Sequence, residues 1–152
     1  MEEADELHRQ VGRRLESEGL RYTSSRRIIV TVLRDEGQPM TIPEILTRNT
    51  ELAQSSVYRN LTDLERCGAV TKVVTASEWS RYELAEDLTG HHHHLICDAC
   101  GLVRDIELPA GVEHSVRSAM RDLGSEHGFA VFEHRLDLVG HCAACVDTGG
   151  SR

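Results

Sequence analysis

Leu7, Val11 and Leu15 recur every four residues in ADELHRQVGRRLES (4–17) with charges between them, which predicts a first amphipathic helix ended by Gly19. A second helix is predicted over SSRRIIVTVLRDEG (24–37), capped by Thr23 or Ser24. Its β-branched run from Ile28 to Val32 marks a buried helix, and Gly37 stops it. Thr41 followed three residues later by Glu44 matches a capping box for a short third helix carrying Ile42, Ile45 and Leu46. A fourth helix runs from Gln54 to Cys67, capped by Ser55 or Ser56, with Val57, Leu61 and Leu64 inward and Gly68 as its stop. AVTKVVTA (69–76) and SRYELA (80–85) then read as two strands joined around Ser77, Glu78 and Trp79. Such a hairpin turns a helix-turn-helix into a winged helix. A small helical domain with a structural hairpin fits the same pattern.

The acidic stretch ELAEDLTG (83–90) ends in Gly90 and reads as the joint between two halves: a winged-helix domain over 1–84, a hinge over 85–90 and a second domain over 91–152. In that second half, HHHHLIC (91–97) and LVRDIEL (102–108) read as short strands and Ala110 to His127 as a helix. FAVFEHRLDLVGHC (129–142) reads as a long alternating strand. Strand-strand-helix-strand predicts a small α+β unit with one helix over an antiparallel sheet. No internal repeat is visible.

Halves this small lie near the lower limit at which a hydrophobic core suffices, so each has use for a staple. The net charge of −8 excludes a generally basic nucleic-acid binder and confines any DNA contact to a local surface. Its distribution is uneven: residues 1–84 hold 12 basic against 14 acidic side chains, the remainder 5 against 11. The charged N-terminus resembles no signal peptide, and no apolar run approaches the roughly 20 residues of a bilayer span, so a cytoplasmic protein with no membrane partner is expected. Five cysteines in a reducing compartment are better explained by metal than by disulfides.

Four of the five form two C-x-x-C pairs, Cys97 with Cys100 and Cys142 with Cys145. Two such turns present four thiolates at the corners of a tetrahedron, the geometry of structural Zn²⁺. A redox dithiol is the competing reading. The fifth, Cys67, reads as a buried small hydrophobe. The internal run His91-His92-His93-His94 continues into a strand pattern, which speaks against a purification tag. Successive side chains of a strand face opposite ways, so His92 and His94 form one pair and His91 and His93 another. Two sites are therefore expected, each suited to Zn²⁺, Fe²⁺ or Mn²⁺ once carboxylates complete it. Glu83 and Asp105 are candidate partners for the first pair, Glu113 and His134 for the second; spacing alone does not assign them.

The chain resembles the ferric uptake regulator family from about Gly19 to Cys145. The resemblance is carried by Gly19 to Arg26, Ser56-Val57-Tyr58-Arg59-Asn60-Leu61, Tyr82-Glu83-Leu84, His91 to Gly101, Glu126-His127-Gly128-Phe129 and Gly140-His141-Cys142. It implies an α+β protein made of an N-terminal winged helix-turn-helix domain and a C-terminal dimerisation domain stapled by a four-cysteine zinc site. Matched residue by residue, it makes Glu83, His92, His94 and Asp105 the regulatory metal site. His91, His93, Glu113 and His134 become an additional site. Many members supply a further regulatory His from the loop before the third helix, where this chain reads Gly37-Gln38-Pro39-Met40; coordination is lower here or another group substitutes.

The implied activity is metal-dependent repression by a homodimer on pseudo-palindromic double-stranded operators. Regulatory donors of nitrogen and oxygen only favour Fe²⁺; zinc-, manganese- or peroxide-sensing is the alternative. Tyr58 and Arg59, with Ser56, are the candidate base-reading surface, and Arg21, Arg26 and Arg27 the candidate backbone contacts. Other classes compete less well. A zinc hydrolase needs an open metal position and a general base, an interaction module leaves the recognition helix without a task, and a metal store leaves the whole N-terminal half without one.

Overall fold

The computed structural model describes residues 2–75 and 79–146. α1 (Glu2–Ser17) and α2 (Ser24–Glu36) are followed by a two-residue strand β1 (Met40–Thr41), then α3 (Ile42–Arg48) and α4 (Gln54–Arg66). Thr23 caps α2 through its side chain, and Gly37 closes that helix in the left-handed conformation, φ 64°. Thr41 and Glu44 form the reciprocal capping box of α3. One expected cap is corrected: Ala53, with no side-chain bond, occupies the α4 N-cap. Ser55 and Ser56 fall in the first turn, where the Ser56 Oγ accepts from Asn60 Nδ2 at 3.1 Å. Cys67 is half-buried against the core rather than enclosed by it.

The wing is β2 (Val70–Val73) against β3 (Arg81–Leu84), antiparallel, with β1 added on the other edge of β3; this third strand was not expected from the sequence. The turn expected around Ser77 and Glu78 lies outside the described residues. Val11, Leu15, Ile29, Val30, Ile45, Val57, Leu61 and Leu64 are fully buried and form one core shared by all four helices.

The segment expected as a plain hinge contains a single helical turn, α5 (Glu86–Thr89), closed by Gly90 at φ 103°. Beyond it lie β4 (His93–Cys97), β5 (Val103–Ile106), α6 (Ala110–Glu126), β6 (Asp137–Gly140) and a terminal turn, α7 (Ala143–Val146). Sheet order is β5-β4-β6, with β4 antiparallel to β5 and parallel to β6. The sheet is therefore mixed, not antiparallel, because α6 and the segment after it return the chain to enter β6 in the direction of β4. The long strand expected over 129–142 shrinks to four residues. Residues 129–135 have the alternating pattern, but among the described residues no neighbouring strand pairs with them, and strand backbone needs a partner.

Nor does α6 cover the sheet in the expected way. Its buried residue is Gly124, and Phe129, Phe132, Leu138 and Val139 are exposed. Among the described residues the apolar core cluster around this sheet is Ile96 and Val103, joined by Val73 from the wing. A sheet with so small a core depends on something other than apolar burial.

Candidate metal centres

Cross-strand register assembles the first cluster. His94 lies opposite Asp105 on one side and beside Asp137 on the other, so the three side chains share a face. His92, two residues earlier, points the same way. Glu83 arrives from the opposite half, at the end of wing strand β3. Its Oε1 is 3.1 Å from His94 Nε2, and its Oε2 is 3.2 Å from both His92 Nε2 and His94 Nε2. Asp105 oxygens lie 3.9 and 3.8 Å from the same two nitrogens. One ligand atom from each of Glu83, His92, His94 and Asp105 falls within 4.8 Å of every other.

The outer nitrogens are also fixed. His94 Nδ1 is 3.1 Å from Asp137 Oδ1 and His92 Nδ1 is 3.0 Å from the Gly90 carbonyl, an arrangement that leaves each Nε2 facing inward. Hydrogen bonding to Glu83 lifts His94 to about 9 against the pull of burial. Burial also opposes charge on His92, but the Gly90 carbonyl and Glu83 outweigh it and raise its pKa. Burial, then the negative charge of Glu83, raises Asp105. A divalent cation bound among these two carboxylates and two imidazoles would compete with their protonation.

The second cluster faces the other way. Glu113, from the first turn of α6, reaches His93 Nε2 at 3.0 Å through Oε2, while its Oε1 lies 3.0 Å from His91 Nε2 and 3.1 Å from His134 Nε2. The hydrogen bond from His93 leads in holding Glu113 down to about 2. His93 is 1% exposed, and the four residues again offer mutually close ligand atoms.

The third cluster joins the two C-x-x-C turns. Cys100 Sγ is 3.8 Å from Cys142 Sγ, and all four ligand atoms lie within 4.8 Å of one another. A tetrahedron with Zn–S near 2.3 Å has edges of about 3.8 Å, whereas a disulfide needs about 2.05 Å, so the spacing fits a metal held by four sulfurs and not a formed disulfide. Backbone N–H groups, first that of Cys142, point at Cys97 Sγ and lower this thiol to about 6; hydrogen bonding to Cys142 pushes Cys145 up to about 12.

Orphaned atoms test whether cations fit the imidazole clusters. Asp105 Oδ1, His91 Nε2 and His134 Nε2 are buried without a properly directed hydrogen bond, although carboxylate or imidazole atoms stand close by. Lone pairs aimed at one another repel unless a cation lies between them. The donor sets therefore fit divalent metal in both clusters.

The candidate DNA-facing residues separate into two groups. Tyr58 is 48% exposed, and Arg59, Arg21 and Arg27 are exposed, with the Arg27 guanidinium 4.4 Å above the Tyr22 ring. Ser56 is half-buried and engaged by Asn60. Arg26 is corrected: its side chain is buried, with Nε donating to Asn60 at 3.2 Å and the two Nη groups spent on the Arg21 carbonyl and Asp63. It clamps α2 to α4 and is not available to a phosphate. Sequence reasoning did not single out Asp63 or Asp137, because each acts through a partner distant in the chain, nor Glu86, whose partner His91 is near in sequence but is met only through the turn of α5 and Gly90. At the loop where a further His is common in the resembled family, the Gln38 side chain accepts from Arg104 Nη1 at 3.0 Å.

A winged helix followed by a sheet unit bearing Cys and His/carboxylate clusters is the architecture of a metalloregulator. The chain belongs to the ferric uptake regulator family, whose model matches residues 17–139. The ferric uptake regulation protein of Campylobacter jejuni is 31% identical over 134 residues, spanning 84% of this chain and 80% of the relative. The Helicobacter pylori ferric uptake regulator, whose structure reveals three functional metal binding sites, shares the fold with a TM-score of 0.74. It is 22% identical and covers 94% of this chain and 93% of its own. A zinc uptake regulator solved in complex with zinc and DNA gives a TM-score of 0.53 at 26% identity, covering 95% of this chain and 96% of its own. Members of the family are transcriptional regulators, not enzymes. No helix among the described residues is long and apolar enough to cross a membrane.

Proposed function

We propose that this chain is a homodimeric repressor that binds pseudo-palindromic double-stranded DNA when Glu83, His92, His94 and Asp105 hold a regulatory divalent ion, Fe²⁺ in preference to Zn²⁺ or Mn²⁺. The observation that carries the reading is Glu83: a wing-strand carboxylate lies between two imidazoles of the other half. A cation bound there supplies the positive centre that makes this contact strong. Glu83 then ties β3 to β4, and the wing and α4 take a fixed angle to the sheet. Two recognition helices related by a two-fold axis enter successive major grooves only at a set separation, so that angle governs affinity. Moving the population from 1:99 to 99:1 takes roughly 5.5 kcal/mol of preference for the DNA-competent angle.

The domains of this reading are 1–84 for DNA, 85–90 as the joint and 91–152 for metal and dimerisation. Four thiolates at 97, 100, 142 and 145 would hold a structural Zn²⁺ and compensate for the small core of the sheet. Exposed Phe129, Phe132, Leu138 and Val139 supply apolar surface for a second copy. Tyr58 and Arg59 would read bases, while Arg21 and Arg27 contact phosphates. The preference for Fe²⁺ rests on a donor set of two imidazoles and two carboxylates without a thiolate.

The test is anaerobic titration of operator binding at fixed salt with Fe²⁺, Mn²⁺ and Zn²⁺, on protein retaining its tightly held zinc. The steepest gain is expected with Fe²⁺. A response confined to Zn²⁺ or Mn²⁺ reassigns the ion, and DNA binding indifferent to all three removes the sensor.

A further inference from the structure

Two consecutive side chains of α5 reach into opposite halves of the molecule. Glu86 hydrogen-bonds to His91 Nδ1, the outer nitrogen of a ring whose Nε2 lies 3.0 Å from Glu113. Asp87, the next residue, is 2.5 Å from Arg14 Nη2 on α1. The same arginine donates through Nη1 to the carbonyl of Gly68, where the chain leaves α4. Glu86 also lines the cavity beside Glu83, His92 and His94 as well as the one beside His91 and His134.

Resting on the reading of His91, His93, Glu113 and His134 as a metal site, we infer that Glu86 is the positioning residue of that site and makes α5 its readout. A carboxylate on Nδ1 fixes the tautomer and plane of His91, presents the Nε2 lone pair to the cluster and raises its basicity as a ligand. Loading the cluster sets the ring, the ring sets Glu86, and the start of α5 is then fastened on two sides: through Glu86 to the sheet half and through Asp87 and Arg14 to α1 and the end of α4. The additional site thus acts on the same joint as the regulatory one, from its other side, and stiffens it instead of bridging it. Among the described residues Glu86 is the only carboxylate of the joint in contact with a metal-cluster imidazole. Its side chain is 40% exposed, so its replacement leaves the core intact.

The experiment uses the full chain with its four-cysteine zinc retained, in a Glu83→Ala background that silences the regulatory cluster, and titrates Co²⁺ while following its ligand-field absorption. Glu86→Ala is expected to weaken Co²⁺ binding about ten- to hundred-fold. Glu86→Gln, which keeps an acceptor for the Nδ1–H, should restore part of the loss. Co²⁺ should also slow hydrogen exchange of the 86–90 amides in the parent and leave it unchanged in Glu86→Ala at equal occupancy. His93→Ala separates the two levels of the claim. If it abolishes Co²⁺ binding while Glu86→Ala binds and protects like the parent, the inference about Glu86 falls and the site stands. If His93→Ala binds Co²⁺ as the parent does, the site reading falls and the inference with it.

Discussion

Glu83 Oε1 stands 3.1 Å from His94 Nε2, and this contact joins the last strand of the wing to the first strand of the metal-bearing sheet. Glu83 is 8% exposed, and its second oxygen is shared by His92 and His94. Glu83→Ala should therefore abolish the metal dependence of DNA binding while zinc content and dimer mass, read by elemental analysis and sedimentation, stay as in the parent. Loss of the dimer would contradict the division of labour between the halves.

His94 offers a subtler test. Asp137 on β6 holds its Nδ1 at 3.1 Å and is half-exposed, so its replacement spares the fold. Asp137→Ala should lower regulatory metal affinity about ten- to hundred-fold, with the DNA response shifted to higher metal concentration rather than lost. An unshifted titration would show that His94 needs no such anchor.

The four thiolates carry the opposite prediction. Cys97→Ser should lower the zinc content and, with Ile96, Val103 and Val73 forming a small apolar core there among the described residues, unfold or monomerise the C-terminal half. A stable dimer of Cys97→Ser with a full complement of zinc would remove the structural role.

Two arginines separate stability from recognition. Arg26 pairs with Asp63 in a setting where the side chains are 9% and 17% exposed, and Arg26→Ala leaves that carboxylate uncompensated. A loss of about 3–5 kcal/mol in chemical denaturation is expected. Arg59→Ala, on the exposed face of α4, should leave the denaturation midpoint in place and weaken operator binding at fixed salt. The reverse pattern would exchange their roles.

Gly124 is required by a close approach. A Cβ there would stand 2.7 Å from the Phe129 carbonyl oxygen and 2.9 Å from a Val131 methyl. The turn after α6 folds back through the Phe129 N–H, which donates to the Gly124 carbonyl at 2.7 Å. Gly124→Ala should cost about 1–3 kcal/mol, measured by thermal unfolding, because backbone cannot yield as a side-chain tip can.

Local chemistry made much of this protein legible in its sequence. The Thr41–Glu44 capping box, the stops at Gly37 and Gly68, and the spacing of Leu7, Val11 and Leu15 act within a few residues, where a helix's own geometry decides the outcome. Strand alternation likewise separated His92 and His94 from His91 and His93, and the two C-x-x-C pairs already carried the chemistry of one metal. Tertiary structure alone decided the rest: that Arg26 turns inward to Asp63, that β6 runs parallel to β4 and brings Asp137 to His94, and that Glu86 and Asp87 face opposite halves. Most of these depend on which distant segment arrives at a side chain, and periodicity along one chain specifies a face without specifying what will meet it.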